Sequence, residues 1–485
     1  MLNKQDLISF KKELYSRSYY AFYKDAFKIL HPGAFYSENW HAKYICDVLQ
    51  KTTLRIKNRE KRDKNIIINV PFRSSKSMLT TVIWPVWSWI VYKRMQFITT
   101  SYSSDLALEH ATLSRNLIDS IWFKELYGDD YLLKEDEKAK GFYKNKHTGS
   151  RKSVSMGGQI TGSGADVIIV DDPQNPKLAS SEVERKNTIN YYDHTLFSRL
   201  NDPEVGIRII IMQRLHEQDL TGHLLTNHEE DYNHICFPAE LTEVTSKIVS
   251  PQHVIENYVN NLFWPTRFNK KLLQSYMKAL GSVQYAGQLQ QLPSPEEGNM
   301  IKRAWFEIIE PNRIVRDSVK SPIHFYIDTA ETEKTKGDPT GICACFKMNN
   351  ILYFADIRAI MKEFYELIHY IKSYAIENKY TQNSMIKVEP KSNGKAVVSL
   401  MKKTTMLNVI ELKAPDRDKI TRVSSITPLI ESGRVKLLSG NWNEPFLNQA
   451  VTFPNSTHDD MVDCFTHAVT DMLGGNDFDF TFINL

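Results

Sequence analysis

Two short segments carry residue types that can hold phosphate groups and a metal ion. The first follows the apolar run 65–70 and reads Pro-Phe-Arg-Ser-Ser-Lys-Ser over 71–77. A phosphate-binding loop needs backbone N–H groups at the start of a helix, a lysine for the β- and γ-phosphates and a hydroxyl for magnesium. Lys76 and Ser77 supply the lysine and the hydroxyl, whereas Ser75 stands where such loops usually have a glycine. The segment therefore predicts a phosphate loop of unusual composition.

The second segment is the apolar run 167–170, which ends in Asp171 and Asp172. A nucleotide hydrolase needs an acid at the end of a neighbouring strand to hold magnesium, and a second carboxylate to orient the attacking water. Either segment alone is common as a strand end followed by a turn. Their occurrence in this order, about a hundred residues apart, predicts a nucleotide-hydrolysing site.

A second group of acids lies in the last third of the chain. Asp328 and Glu389 each end a short apolar run, and a predicted helix near 455–463 begins with several acids. Asp460 and Asp463 are three residues apart and share one helical face. Acids from two adjacent strands and one helix can converge on two Mg²⁺ or Mn²⁺ ions for phosphodiester hydrolysis. The pattern predicts a metal-dependent nuclease site.

The elements around these residues predict two α/β units. Between 65 and 212, β-branched runs alternate with helical stretches, which is typical of a doubly wound domain with a mainly parallel sheet. After residue 322, three closely spaced runs indicate an antiparallel meander, and a fourth at 385–389 follows a helical stretch at 363–378. That order favours a parallel addition, and hence a mixed sheet. The Gln- and Pro-rich segment 288–298 is the predicted connection.

Composition bounds the class of protein. The 485 residues are enough for two or three domains, and the five cysteines form no disulfide framework or metal motif, which predicts a reducing, intracellular setting. Cys343 and Cys345 read as alternate residues on a buried strand. No apolar run is long enough to cross a bilayer or typical of a secretory signal, so a soluble protein is expected. The net charge of +4 neither requires nor excludes a polyanionic partner.

The loop 71–77 resembles the deviant phosphate loop, Pro-Pro-Arg-His-Gly-Lys-Ser, of the large terminase subunits of tailed double-stranded DNA bacteriophages. The resemblance extends in chain order from about Trp40 to Val469. It includes the following further blocks: 101–107, 157–166, 170–173, 211–220 and 285–291. It implies an α/β fold with an N-terminal P-loop ATPase domain and a C-terminal ribonuclease H-like nuclease domain.

The resemblance also implies roles at the first site. The residues that would hold the ATP phosphates and Mg²⁺ are Arg73, Ser74, Ser75, Lys76 and Ser77. Asp171 would coordinate the metal through water, Asp172 would be the catalytic carboxylate, and Gln213 would couple hydrolysis to movement. Ser163 stands where many relatives have an arginine finger.

Two questions at this site are left open by the sequence. Arg115, Arg151 and Arg214 are alternative candidates for the arginine finger. Trp40 and His41 match a segment that contacts adenine, but burial on an amphipathic helix explains them equally well.

At the second site the resemblance implies that Asp328, Glu389 and Asp463 are catalytic metal ligands. Asp460 is a possible additional ligand, and His458 is a neighbour of undefined role. Basic residues suited to a DNA backbone surround these acids: Lys391, Lys395, Arg417, Lys419, Arg422, Arg434 and Lys436.

The predicted division of the chain has four parts. These are the P-loop ATPase motor at 1–245, a lid and linker region at 246–315, the nuclease domain at 316–475 and a tail at 476–485. The resemblance implies an ATP-driven translocase that moves double-stranded viral DNA into a procapsid, and an endonuclease that cuts concatemeric DNA. The cofactors would be ATP and Mg²⁺, with Mn²⁺ able to substitute at the nuclease site.

The implied partners are double-stranded DNA, a small terminase subunit, the portal protein of the procapsid and further copies of this chain in a ring. No membrane partner is expected, and the implied location is the host cell cytoplasm. One alternative is a helicase-nuclease of DNA repair or defence, against which no second motor domain is visible. Another is a DNA-binding structural protein, which would leave both sets of acids unexplained.

Overall fold

The computed structural model describes residues 4–34, 36–131, 133–160, 162–293, 300–314, 320–329, 339–391, 393–413, 418–454 and 458–474. These residues form two compact units. The first contains the described residues up to 276 and those of 283–293, and the second contains 277–282 and those from 300 onward. The predicted tail at 476–485 and Arg417 lie outside the described residues. The four-part division of the chain stays a prediction.

The first unit is built on an eight-stranded sheet with the order β3-β4-β5-β2-β6-β7-β1-β8. Its strands are β1 (Asn65–Asn69), β2 (Gln96–Ser101), β3 (Leu133–Lys138), β4 (Phe142–Asn145), β5 (Ser150–Ser155), β6 (Val167–Asp171), β7 (Ile207–Met212) and β8 (Tyr232–Cys236). All pairs from β5 to β8 are parallel, and only β3-β4 and β4-β5 are antiparallel. The predicted mainly parallel sheet is therefore confirmed.

The α-helices numbered from the first residue of the chain are α1 (Lys4–Arg17), α2 (Tyr19–Leu30), α3 (Trp40–Lys57), α4 (Ile83–Val91), α5 (Ser104–Asp119), α6 (Ile121–Tyr127), α7 (Glu182–Tyr191), α8 (Leu220–Asn227), α9 (Thr245–Ile248) and α10 (Lys270–Gln288). Strands β1, β6 and β7 are buried along their whole length. Burial on both faces explains why these strands are mainly apolar and do not alternate between apolar and polar residues.

The order β6-β7-β1 brings three strand ends together. Because the three strands are parallel, their carboxyl ends meet at one edge of the sheet, where α/β proteins bind ligands. The loop 70–77 follows β1, Asp171 ends β6, and Gln213 follows β7. The fold thus places all three predicted segments of the first site side by side.

The second unit has a seven-stranded mixed sheet with the order β14-β13-β10-β11-β12-β15-β9. Its elements are β9 (Glu307–Ile309), β10 (His324–Asp328), β11 (Thr340–Met348), β12 (Ile351–Ile360), α11 (Phe364–Glu377), β13 (Ile386–Val388), α12 (Gly394–Thr404), β14 (Val409–Glu411), α13 (Lys419–Glu431), β15 (Val435–Leu438), α14 (Asn443–Thr452) and α15 (Asp460–Leu473). Strands β10, β11 and β12 form an antiparallel meander, and β13 joins β10 in parallel. Both arrangements were predicted.

Helices pack on both faces of this sheet. Residues of α11 and α12 belong to one apolar core, and residues of α13, α14 and α15 belong to another. Cys343 and Cys345 are buried on β11, as predicted. Within the described ranges, we find no helix with both the length and the apolar character needed to span a lipid bilayer.

Candidate functional sites

The phosphate loop adopts backbone angles that glycine usually occupies. Arg73 has a φ of +58° and Ser75 a φ of +61°, so both are left-handed. A residue with a side chain adopts this conformation at a cost of about 1 kcal/mol. Ser75 therefore takes a left-handed backbone conformation that a glycine would favour. The chain then enters a single π-helical turn at Met78–Val82.

Lys76 is held by residues from two neighbouring strand ends. Its Nζ donates a 2.7 Å hydrogen bond to Gln213 Oε1 and lies 2.9 Å from Asp172 Oδ2. The lysine is only 5% exposed, and Asp172 has a left-handed φ of +44°. Burial raises the pKa of Asp172, while the adjacent ammonium lowers it. Three residues predicted from separate segments thus form one hydrogen-bonded group.

Asp171 is completely buried and accepts hydrogen bonds from two hydroxyls. Ser77 Oγ donates to it at 3.0 Å and Thr81 Oγ1 at 2.6 Å. His110 Nδ1 lies 3.5 Å from the same carboxylate. Burial raises the pKa of Asp171, whereas the hydrogen bond from Thr81 and the charge of Lys76 lower it. Ser77 and Asp171 are in contact, as the sequence predicts. Thr81 and His110 also contact Asp171 and were not predicted. Thr81 could have been recognised, because it is a hydroxyl residue one helical turn after Ser77.

Two of the three arginine-finger candidates are tied within their own chain. Arg151 is fully buried and donates to Ser114 Oγ at 2.6 Å. Arg214 Nε lies 3.0 Å from both carboxylate oxygens of Asp219. Arg115 has a weaker contact, with its Nη2 3.5 Å from Thr112 Oγ1. The identity of the finger stays open.

His41 lies on α3 and contacts the backbone of the loop 71–77. Its Nε2 is 2.9 Å from the backbone oxygen of Ser74, and its Nδ1 is 2.7 Å from Asn39 Nδ2. Burial lowers the pKa of His41 to about 4, so the ring is neutral at pH 7. Trp40 packs against Phe237, with ring centroids 4.8 Å apart. Packing, the alternative interpretation of this pair, is the one the contacts favour.

The acids of the second site come from two adjacent strands and a helix. Asp328 ends β10, Glu389 follows β13, and Asp460 and Asp463 lie in the first turn of α15. Glu389 and Asp463 are each only 3% exposed, and Asp460 is 8% exposed. All four are thus positioned by regular elements.

His467 joins this cluster and was not predicted. Ligand atoms of Asp328, Glu389 and His467 lie within 4.8 Å of one another, and His467 Nε2 is 3.3 Å from Glu389 Oε2. His467 follows Asp463 by four residues, so it shares the same face of α15. That spacing was the available signal. The sequence directed attention to His458 instead, which precedes the helix.

The pKa values of Asp328 and Glu389 are shifted in opposite directions. Burial, a hydrogen bond to Glu389 and the charge of Asp463 raise the pKa of Asp328 to about 9. Burial acts in the same direction on Glu389, but hydrogen bonds from His467 and Asp328 outweigh it and hold the pKa of Glu389 well below its usual range. Two carboxyls this close cannot both ionise without a compensating cation.

These donors fit a divalent cation. Carboxylate oxygens with one imidazole suit Mg²⁺ or Mn²⁺. Glu389 Oε1 is buried, yet among the described residues it accepts no hydrogen bond. The charged groups near this oxygen are Lys391 Nζ at 3.4 Å and Arg422 Nη1 at 3.5 Å, so its position suits a positive ion.

Two cations of α13 lie against the acids. Lys419 Nζ is 2.5 Å from Asp463 Oδ2 and 2.7 Å from Asp459 Oδ1. Arg422 is 6% exposed, and its guanidinium lies 3.5 Å from Glu389 and 3.6 Å from Asp463. Both were predicted as DNA-backbone contacts. In this arrangement they are counter-ions of the acids of the second site, because their charges face the cluster.

Other members of the predicted basic set have separate partners. Arg434 Nη2 donates to Asn350 Oδ1 at 3.0 Å, and Lys436 Nζ lies 2.8 Å from Glu307. Lys391 Nζ is 3.4 Å from Glu389 Oε1, and its side chain is 67% exposed.

Comparisons with known proteins give one family match, which lies in the second unit, and several similar solved structures. Residues 325–471 match the family model for the terminase ribonuclease H-like domain. No curated protein matches the chain significantly. Among solved structures, the large terminase from the thermophilic bacteriophage D6E in complex with ADP is 11% identical, with 88% of this chain and 98% of that chain covered and a TM-score of 0.48.

Two further solved structures are similar over different lengths. The large terminase of bacteriophage HK97 is 11% identical over 90% of this chain and 96% of its own, with a TM-score of 0.35. The human cytomegalovirus terminase nuclease domain is 19% identical over 35% of this chain and 93% of its own, with a TM-score of 0.29. The predicted resemblance to large terminase subunits is confirmed by the match of residues 325–471 to the terminase ribonuclease H-like family model.

Proposed function

We propose that this chain is the large subunit of a viral DNA-packaging motor. ATP hydrolysis in the first unit would move double-stranded viral DNA through a portal into a procapsid, and the second unit would cut concatemeric DNA. The observation that carries the proposal is the convergence of Asp328, Glu389 and His467 within residues 325–471, which match the terminase nuclease family. The same match favours a packaging enzyme over a helicase-nuclease of repair.

At the first site the side chains are arranged for ATP. Lys76 would leave Gln213 and Asp172 to contact the β- and γ-phosphates, and the freed Asp172 would orient the attacking water. Ser77 and Asp171, 3.0 Å apart, would hold Mg²⁺. When bound, that ion offsets the charge on the phosphate oxygens. Because Gln213 accepts a hydrogen bond from Lys76, it would couple the movement of that lysine to the segment after β7.

At the second site the acids would hold divalent metal. Asp328, Glu389 and Asp463 are the proposed ligands and catalytic residues, with Asp460 and His467 as further donors. Two such ions activate the attacking oxygen and stabilise the leaving one. The buried helix α15 and the ends of β10 and β13 keep the donors in fixed positions.

The proposed partners follow from this role. They are double-stranded DNA, a small terminase subunit, the portal of the procapsid and further copies of this chain arranged in a ring during packaging. The proposed location is the host cell cytoplasm.

The test separates the two activities. ATP hydrolysis and Mn²⁺-dependent plasmid cleavage would be measured for the wild type, Lys76→Ala and Asp328→Ala. We expect Lys76→Ala to lose at least about 100-fold in ATP hydrolysis but to keep cleavage, and Asp328→Ala to show the reverse. Lys186→Ala, which removes an exposed lysine paired with Glu182, is the matched control.

Two results would contradict the proposal. The first is ATP hydrolysis at the wild-type rate in Lys76→Ala. The second is plasmid cleavage by Asp328→Ala in the presence of Mn²⁺.

A further inference from the structure

Lys419 occupies a position that a metal-bound nuclease site must vacate. Its ammonium lies 2.5 Å from Asp463 Oδ2, an oxygen that the proposed metal site needs. A cation that close repels a divalent ion at the same carboxylate. Metal binding to Asp463 is therefore opposed as long as Lys419 stays in place.

The surroundings of Lys419 allow it to leave. It is the first residue of α13, and 45% of its side chain is exposed. Its second partner, Asp459, lies at the edge of the cluster with 31% of its side chain exposed. A lysine has a long flexible stem and a compact charge that binds phosphate readily. Lys419 can thus turn from the carboxylates toward an anion at the mouth of the site.

Arg422 behaves differently, although it lies on the same helix one turn later. It is 6% exposed, and its guanidinium contacts Glu389, Asp463 and His467 at 3.2 to 3.6 Å. It cannot reach solvent without unpacking α13. The helix therefore carries one fixed counter-ion and one exchangeable counter-ion.

We propose that Lys419 exchanges Asp463 for a phosphate of the DNA substrate, so that DNA and divalent metal bind the second unit cooperatively. The inference rests on the proposed nuclease function and adds a regulatory property to it. DNA removes the charge that repels the metal, and metal releases the lysine that binds DNA. Linkage requires the two effects to be equal. The site would thus fill with metal mainly when DNA is present.

The experiment measures binding rather than cleavage. Free Mn²⁺ is followed by electron paramagnetic resonance during titration of the full chain, with and without a phosphorothioate duplex that resists hydrolysis. The same titration of Asp328→Asn is subtracted, so that ions bound elsewhere do not count. We expect the duplex to tighten Mn²⁺ binding by about tenfold, and Mn²⁺ to tighten duplex binding by the same factor.

Variants assign this coupling to Lys419. In Lys419→Met, Mn²⁺ binding without DNA should become about tenfold tighter, and the coupling factor should fall to about one. Lys419→Arg keeps the charge and should keep most of the coupling. Lys362→Met is the matched control, because Lys362 is 43% exposed, similar to Lys419, and pairs with Glu366, which is not a proposed metal ligand. It should leave the coupling factor unchanged.

The outcomes distinguish this inference from the function on which it rests. Equal coupling in the wild type and Lys419→Met, or equal loss in Lys362→Met and Lys419→Met, would overturn the inference. A wild type that cleaves plasmid but shows a coupling factor of one would also overturn it, while the nuclease function stands. A wild type that neither cleaves DNA nor binds Mn²⁺ through Asp328 would refute the nuclease function itself.

Discussion

Replacement of Arg422 by methionine should destabilise the second unit in a way that metal partly repairs. The guanidinium is 6% exposed and lies 3.5 Å from Glu389 and 3.6 Å from Asp463. At an effective dielectric of about 20, each contact is worth roughly 5 kcal/mol before the cost of desolvation. Removing one member of a buried ion pair typically costs about 3–5 kcal/mol, because the remaining charge stays buried.

The lower end of that range applies here. Asp463 keeps Lys419 at 2.5 Å, and Glu389 keeps His467 at 3.3 Å. We therefore expect Arg422→Met to lower the free energy of unfolding by about 3 kcal/mol in EDTA. Without the guanidinium the acids attract Mn²⁺ more strongly, and each tenfold gain in affinity returns about 1.4 kcal/mol. In saturating Mn²⁺ the deficit should shrink to about half.

Urea-dependent hydrogen exchange of the α15 peptides measures this, since it reports on the second unit alone. Arg434→Met is the control, because Arg434 bonds to Asn350 rather than to a carboxylate; it should cost less than about 1 kcal/mol with or without Mn²⁺. A deficit below about 1 kcal/mol for Arg422→Met in EDTA, or one that Mn²⁺ leaves unchanged, would refute the argument.

Three further predictions concern single residues. Burial lowers the pKa of His41 to about 4. The neutral ring therefore contributes up to about 3 kcal/mol to the free energy of unfolding above pH 6.5, and this contribution is lost as the pH falls toward 4. In urea unfolding between pH 7 and pH 4, the free energy of unfolding of His41→Gln should depend less on pH than that of the wild type. Ser75→Gly should keep ATP affinity within about twofold. Ser75→Val places a β-branched residue at a φ of +61°, so it should lower the free energy of unfolding by about 1–2 kcal/mol. His467→Gln should weaken Mn²⁺ binding by about 10–100-fold in a metal titration, and His458→Gln should not change it.

The first site was largely predictable from the sequence. Lys76, Asp172 and Gln213 each follow an apolar run, and parallel strands place such ends at one edge of a sheet. What the sequence could not provide was the order β6-β7-β1, which decides that Lys76 meets both partners at once. Ser75 does not match a motif that requires glycine at this position, although its φ is positive, as the φ of a glycine there would be.

The second site was predictable in its acids but not in its cations. Asp328, Glu389 and Asp463 stand at element ends, where carboxylates attract notice. Lys419 and Arg422 were predicted as DNA-backbone contacts and not as counter-ions of the acids, because nothing in their local sequence reveals that α13 packs beside α15. Strands β9, β14 and β15 are three or four residues long, which is too short for an alternating pattern to be recognised from the sequence. The neighbours that they and α13 create therefore depend on tertiary packing.

Both sites hold a lysine against a carboxylate that the proposed chemistry requires. Lys76 Nζ is 2.9 Å from Asp172, and Lys419 Nζ is 2.5 Å from Asp463. In each case the natural competitor for the lysine is a phosphate, from ATP at one site and from DNA at the other. Phosphate binding therefore does two things at once: it neutralises the lysine and frees the carboxylate. Under the proposed function, each acid would become available only when its own substrate has arrived.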